Sequence, residues 1–285
     1  MRRIPLPETW DAREADRGFM ASLATIAFLS LGLELVVAGT ALTVTGAVPG
    51  LFPLGAQCLV WSGLGVAWLL VARALVAWSR RRGVDPLPAA APVATPAAAR
   101  TAAPAGVQAR ARTAASTRTK GLTSAGASGD GSGELLDHRP WRGMLLLFLA
   151  AVLVAFLLPG LLEDTWTMAA VERYGTLFTE YGGAAWLAML AWTLRLLGYG
   201  AVAASVLAYS HRAVRELVDR PFARWVPWGG LVTGVLLGAV AFLAEGGAMA
   251  LTTLVTYVLL GMLHVRSGES LRVTACFTVL VLAVL

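Results

Sequence analysis

Between Arg17 and Arg73 the chain carries a single formal charge, Glu34. No soluble fold covers such a stretch, because it offers no charged face to water, and uncharged runs beyond about 18 residues mark membrane spans. Gly46, Pro49, Gly50 and Pro53 punctuate its middle. They divide it into two helices, about Met20 to Thr45 and Leu54 to Trp78, joined by a short turn. Composition points the same way: of 285 residues 57% are apolar and 14% charged, against about 45–50% and about 25% in soluble domains. A soluble globule is excluded.

From Arg80 to Pro140 the sequence turns to alanine, proline, threonine, serine and arginine without apolar periodicity, and Gly126 to Gly133 is glycine-rich. Such a stretch cannot offset its ordering entropy by burial. The expectation is a disordered basic linker, residues 80–142, between a two-helix hairpin (19–79) and a five-helix membrane domain (143–285), behind an N-terminal segment (1–18). Residues 8–18 read equally as an interfacial helix or a polar tail. The five later spans are expected at about Gly143 to Leu162, Ala184 to Tyr209, Trp225 to Leu243, Gly246 to Leu263 and Val273 to Leu285. The last is short for a bilayer.

The fold class is thus all-α: a polytopic membrane bundle of seven transmembrane helices. Basic residues orient it. With the N-terminus inside, cytoplasmic segments hold 20 of the 23 Lys and Arg: four before residue 18, ten in the linker and six from Arg212 onward. The outer segments hold only Arg173 beside Glu163, Asp164, Glu172, Glu180 and Glu245. This asymmetry predicts N-terminus in, C-terminus out, in the cytoplasmic (inner) membrane. It accounts for a pI near 10.0 through topology and contact of the linker with anionic lipid headgroups, and calls for no nucleic-acid partner.

Glu34 and Arg195 are the charges most deeply embedded in apolar runs. Counted from Met20 and Tyr209, each lies fourteen residues in, or about 21 Å. Equal depth makes an ion pair between the first and fourth spans the natural expectation, either as a register device or in proton or ion passage. Arg73 reads as snorkelling to the inner surface. Gly230, Gly234 and Gly238 recur every four residues and predict a helix-packing seam, intramolecular in preference to intermolecular. The outer acidic set reads as a solvated rim, since it lacks ligand spacing. His211 and His264 fall at helix ends without a third ligand, so no metal is expected. Cys58 and Cys276 read as apolar filler, and the only lysine, Lys120, lies in the linker, so no Schiff base is available in the bundle. No HExxH, GxSxG, P-loop or Rossmann fingerprint occurs. No catalytic residue and no cofactor is expected.

The last third has one family likeness. Arg215, the turn Arg220-Pro-Phe-Ala-Arg-Trp225, the small-residue helix through Leu237-Gly238 and the segment Gly261-Met-Leu-His-Val-Arg-Ser-Gly-Glu-Ser-Leu271 resemble the core of the CPBP family, the CAAX-processing and bacteriocin-protection intramembrane proteases. The likeness covers residues 195–285 at most. That family's chemistry uses a Glu-Glu-x-x-x-Arg motif, a Phe-x-x-x-His motif and a final His-x-x-x-Asn or Asp. Here Arg215 matches the arginine, but Ser210 and His211 stand where the glutamates belong. Leu237 and Ala241 replace the second pair, and Phe277 and Val281 fall near the third. The resemblance therefore implies a non-proteolytic relative. The leading expectation is a non-catalytic membrane protein that binds or regulates a partner in the bilayer, whether another membrane protein or a second copy. A transporter or channel component using Glu34 and Arg195 is the second class, and an unrecognised membrane enzyme the third.

Overall fold

A computed structural model describes residues 10–83, 86, 139–164, 166–218 and 225–285. The expected disordered linker falls almost wholly outside these, as do residues 1–9 and most of the Arg220 to Trp225 turn. Every described element is helical: α1 (Trp10–Leu31), α2 (Leu33–Thr45), a 3-10 turn (Pro49–Leu51), α3 (Leu54–Arg81), α4 (Arg139–Glu163), α5 (Ala169–Tyr181), a second 3-10 turn (Gly182–Ala184), α6 (Ala185–Leu217), α7 (Trp228–Glu245), α8 (Gly247–Arg266) and α9 (Leu271–Leu282). Six helical stretches are long and apolar enough to cross a membrane: Arg17–Thr45, Leu54–Arg81, Trp141–Glu163, Ala169–Leu217, Trp228–Glu245 and Gly247–Arg266. The chain is a multi-pass, all-helical protein of membrane type.

Several boundaries differ from the sequence reading. Helix α6 continues past Tyr209 to Leu217, so His211 lies within it and not at its end. The expected last span, short already at Val273 to Leu285, is the 12-residue α9, Leu271–Leu282, which rises only about 18 Å. Helix α1 runs without a break across residue 18, because Ala12 to Gly18 lies in one helical register with the span that follows. The segment between Glu163 and Ala184 contains α5, where a loop was expected. Its inward stripe is Ala170, Tyr174, Leu177 and Tyr181, which pack with Trp61 and Trp192; the spacing of three and four residues is that of one helix face.

Helix α6 is the hub, packing against α1, α3, α7 and α9. Glycines set how closely. A Cβ on Gly65 would lie 2.6 Å from the Leu194 carbonyl carbon and 2.8 Å from the Arg195 nitrogen, and one on Gly198 would reach 3.0 Å from Gly65 Cα. Backbones of α3 and α6 thus touch, as small residues in membrane helices permit. Along α7, Cβ atoms on Gly230, Gly234 and Gly238 would meet α8 backbone: Gly261 Cα at 2.9 Å, Leu254 O at 2.9 Å and Ala250 O at 3.1 Å. All three glycines face α8 of the same chain.

The first span is not one helix. At Gly32 the register breaks: its N–H turns back to Leu29 O at 3.1 Å, and the Ser30 carbonyl accepts the Trp68 indole N–H at 2.7 Å. A Ser/Gly pair with a side chain inserted into the ladder is a standard cause of such a break. Trp68 is fully buried against Tyr199. Beyond the break α2 buries none of its residues, whereas α1 packs on α6 and α3.

Candidate functional site

Where α2 leaves the bundle a cavity of about 310 Å³ opens, lined by Glu34 and Val37 of α2, Trp61 and Leu64 of α3, Arg173 of α5, Trp192 and Arg195 of α6, and the Pro49–Gly50 turn. The Gly65–Gly198 crossing brings the α6 backbone at Arg195 against α3. The Arg195 guanidinium donates to a Glu34 carboxylate oxygen. The pair is not dry: the two side chains keep 23% and 35% of their exposure. Arg195 Nε is nonetheless buried and has no hydrogen-bond partner.

The cavity's roof is α5, held at three points. Its first free N–H groups, those of Ala169 and Ala170, donate to the carbonyls of Val284 and Ala283 at 3.3 and 3.1 Å, which satisfies donors every helix start leaves open. Tyr174 and Thr193 share a hydroxyl hydrogen bond of 2.7 Å. Gln57 donates to Tyr181 Oη at 3.2 Å and also to Gly50 O and Phe52 O, tying α5, α3 and the Pro49 turn together. Carried on this roof, the Arg173 guanidinium lies 4.8 Å from the centre of the Trp61 ring, a cation–π contact. Among the described residues Arg173 has no carboxylate partner. Sequence reasoning passed over Arg173 as a loop residue. The signal that marks it is its position next to Tyr174 in the stripe of α5.

A second polar cluster joins α6, α8 and the turn before α9. Glu269, at φ 61°, turns its carboxylate to Arg215, with Arg212 Nε at 3.8 Å and His211 Nε2 at 3.9 Å. His264 Nδ1 bonds Thr274 Oγ1 at 2.7 Å, and the His211 and His264 rings meet edge to face at 5.7 Å. Arg215 therefore closes onto the Arg-Ser-Gly-Glu turn that follows α8. Ser210 donates to Val206 O within its own helix, and Leu237 and Val281 are buried apolar residues. Glu269 went unnoticed in the sequence; its neighbours Gly268 and Ser270 mark a turn but not its partner. The acidic residues Glu163, Glu172 and Glu245 line a separate recess beside Thr167, which donates to Glu172 at 2.9 Å. Among the described residues no three His, Cys, Asp or Glu side chains are grouped to hold a metal ion.

The chain matches no family model, no curated protein and no solved structure.

Proposed function

We propose that this is a non-catalytic multi-pass protein of the cytoplasmic membrane that recognises a partner molecule inside the bilayer. The observation that carries the reading is the half-open Glu34–Arg195 pair. A pair that served only to lock helix register would be best sealed between helices, since a charge at membrane depth is costly, whereas this one borders a cavity. In this reading the chain crosses seven times, N-terminus in and C-terminal end of α9 out, with residues 80–142 in the cytoplasm near anionic headgroups. The distribution of Lys and Arg supports it. So does the course of α9, from the Glu269 turn to hydrogen bonds at the start of α5, although 12 residues require a locally thinned bilayer. Kinship to the CPBP proteases, as a non-proteolytic relative, is part of the proposal and rests on Arg215 and the turn it engages.

Copurification in mild detergent tests the function. The expected result is a stoichiometric partner held by the wild type and lost from a stable Glu34→Gln/Arg195→Met variant. Ion movement through the protein alone in liposomes would replace binding with transport. The orientation is tested by impermeant labelling of intact cells, with Cys58 and Cys276 removed. Thr179→Cys should react and Ser116→Cys should not; the reverse would overturn the topology.

A further inference from the structure

We infer that the cavity at Glu34–Arg195 takes an organic monoanion with an apolar tail, a carboxylate or phosphate headed amphiphile, with Arg173 as its anchoring cation. The inference rests on the reading that this cavity is a recognition site and names what it recognises.

Charge decides the sign of the ligand. Glu34 is neutralised by Arg195, so the cavity keeps the charge of Arg173, which has no carboxylate partner among the described residues. A cationic ligand is disfavoured: one Glu34 oxygen is already paired with Arg195, and the Trp61 ring that would attract an ammonium group already carries the Arg173 guanidinium. An oxyanion finds its donors on Arg173, which lines the cavity. Arg195 Nε is unpartnered but sealed from the cavity, so it adds a second donor only if the side chain turns. Guanidinium forks bind carboxylates and phosphates through paired, charge-assisted bonds.

The walls decide the rest of the ligand. Val37, Val60 and Leu64 make one side apolar. Because α2 buries none of its residues, Val37 belongs to a helix whose neighbouring Leu35 and Val36 are exposed, so an apolar tail that leaves the cavity beside α2 meets apolar side chains. About 310 Å³ is at the small end of ligand sites, which run from about 300 to 1,000 Å³. A headgroup and the first part of a chain fit; a whole lipid does not. The same chemistry is offered by a free fatty acid or by an anionic lipid.

The test uses the full-length protein with Ala38→Cys as a reporter in the cavity wall and Cys58 and Cys276 replaced. Its labelling by a maleimide is followed with decanoate, monodecyl phosphate or decyltrimethylammonium present. Decanoate and decyl phosphate should slow labelling at least about tenfold and the cation should not. Arg173→Gln should weaken that protection about tenfold or more, as loss of one charge-assisted contact does, and Arg173→Lys should restore part of it. Nanodiscs of phosphatidylcholine with and without phosphatidic acid separate the sources. Protection by phosphatidic acid assigns the site to a lipid, and protection by decanoate alone assigns it to a free acid. Equal protection by the cation, or protection indifferent to Arg173→Gln, overturns this inference and leaves the recognition reading standing. If no amphiphile protects and the Glu34→Gln/Arg195→Met variant keeps its partner, both fall.

Discussion

The α7–α8 seam and the α2–α3 cleft are built from equally apolar sequence and end in opposite states. In the seam, Gly230 and Gly261 let two backbones meet, with no room for a methyl group between them. On the helices that flank the cleft, a Cβ on the exposed Gly39 of α2 or Gly63 of α3 would touch nothing within 4 Å. Glycine content does not separate the two regions. The difference is that the seam has a continuous helix on each side, whereas α1 and α2 part at Gly32, where the Trp68 indole occupies the Ser30 carbonyl. Within a membrane no hydrophobic drive pulls helices together, so close packing and hydrogen bonds decide which faces join. The interrupted ladder leaves α2 with no fully buried residue, touching the bundle through Val37 and the Glu34–Arg195 pair.

The sharpest break of this comparison is Gly230→Val. The added side chain meets Gly261 Cα and the Tyr257 carbonyl, both backbone, so neither can swing aside. We expect a loss of about 3 kcal/mol, the upper part of the range for overpacking, read as a fall in the denaturation midpoint in detergent. A midpoint within error of wild type would mean the seam is loose.

Trp68→Phe keeps an aromatic ring and deletes the indole donor, while the smaller ring leaves a void at this fully buried position. The Ser30 carbonyl is then unpartnered, which costs about 1–3 kcal/mol, unless residues 30–34 close into continuous helix. In the second case stability recovers and Ala38→Cys becomes slower to label, because α2 swings onto the bundle. Unchanged stability together with unchanged labelling would show that the indole does not hold the break open.

Glu34→Gln should cost only about 1 kcal/mol. The pair retains a quarter to a third of its exposure, and open pairs contribute far less than sealed ones. Added Arg195→Met should recover most of the loss, since the two side chains form one unit; strictly additive effects would mean they do not interact. The smallest effect is expected from Gly39→Val, within about 0.5 kcal/mol of wild type, as its Cβ enters open space.

The membrane helices of the hairpin and the last third were legible because hydropathy is a property of each segment alone. The spacing of Gly46, Pro49, Gly50 and Pro53 likewise marks the turn between the first two spans, with no need of a partner. Length along the chain also singles out Glu34 and Arg195, each about four turns into its span. What brings them to one cavity is the packing of both α1 and α3 on α6, the second through Gly65 and Gly198, two glycines 133 positions apart, and no local pattern links them. The break at Gly32 depends on an indole from α3, and a Ser-Leu-Gly triplet by itself is compatible with an unbroken helix. Arg173 joins the site because α5 is tied by Tyr174, Tyr181 and the carbonyls of Ala283 and Val284, which lie far off in sequence. Sequence alone determines which segments prefer lipid to water, because that preference is summed residue by residue. Which charges share a cavity is decided by backbone contacts and hydrogen bonds between distant segments, and these exist only once the helices have packed.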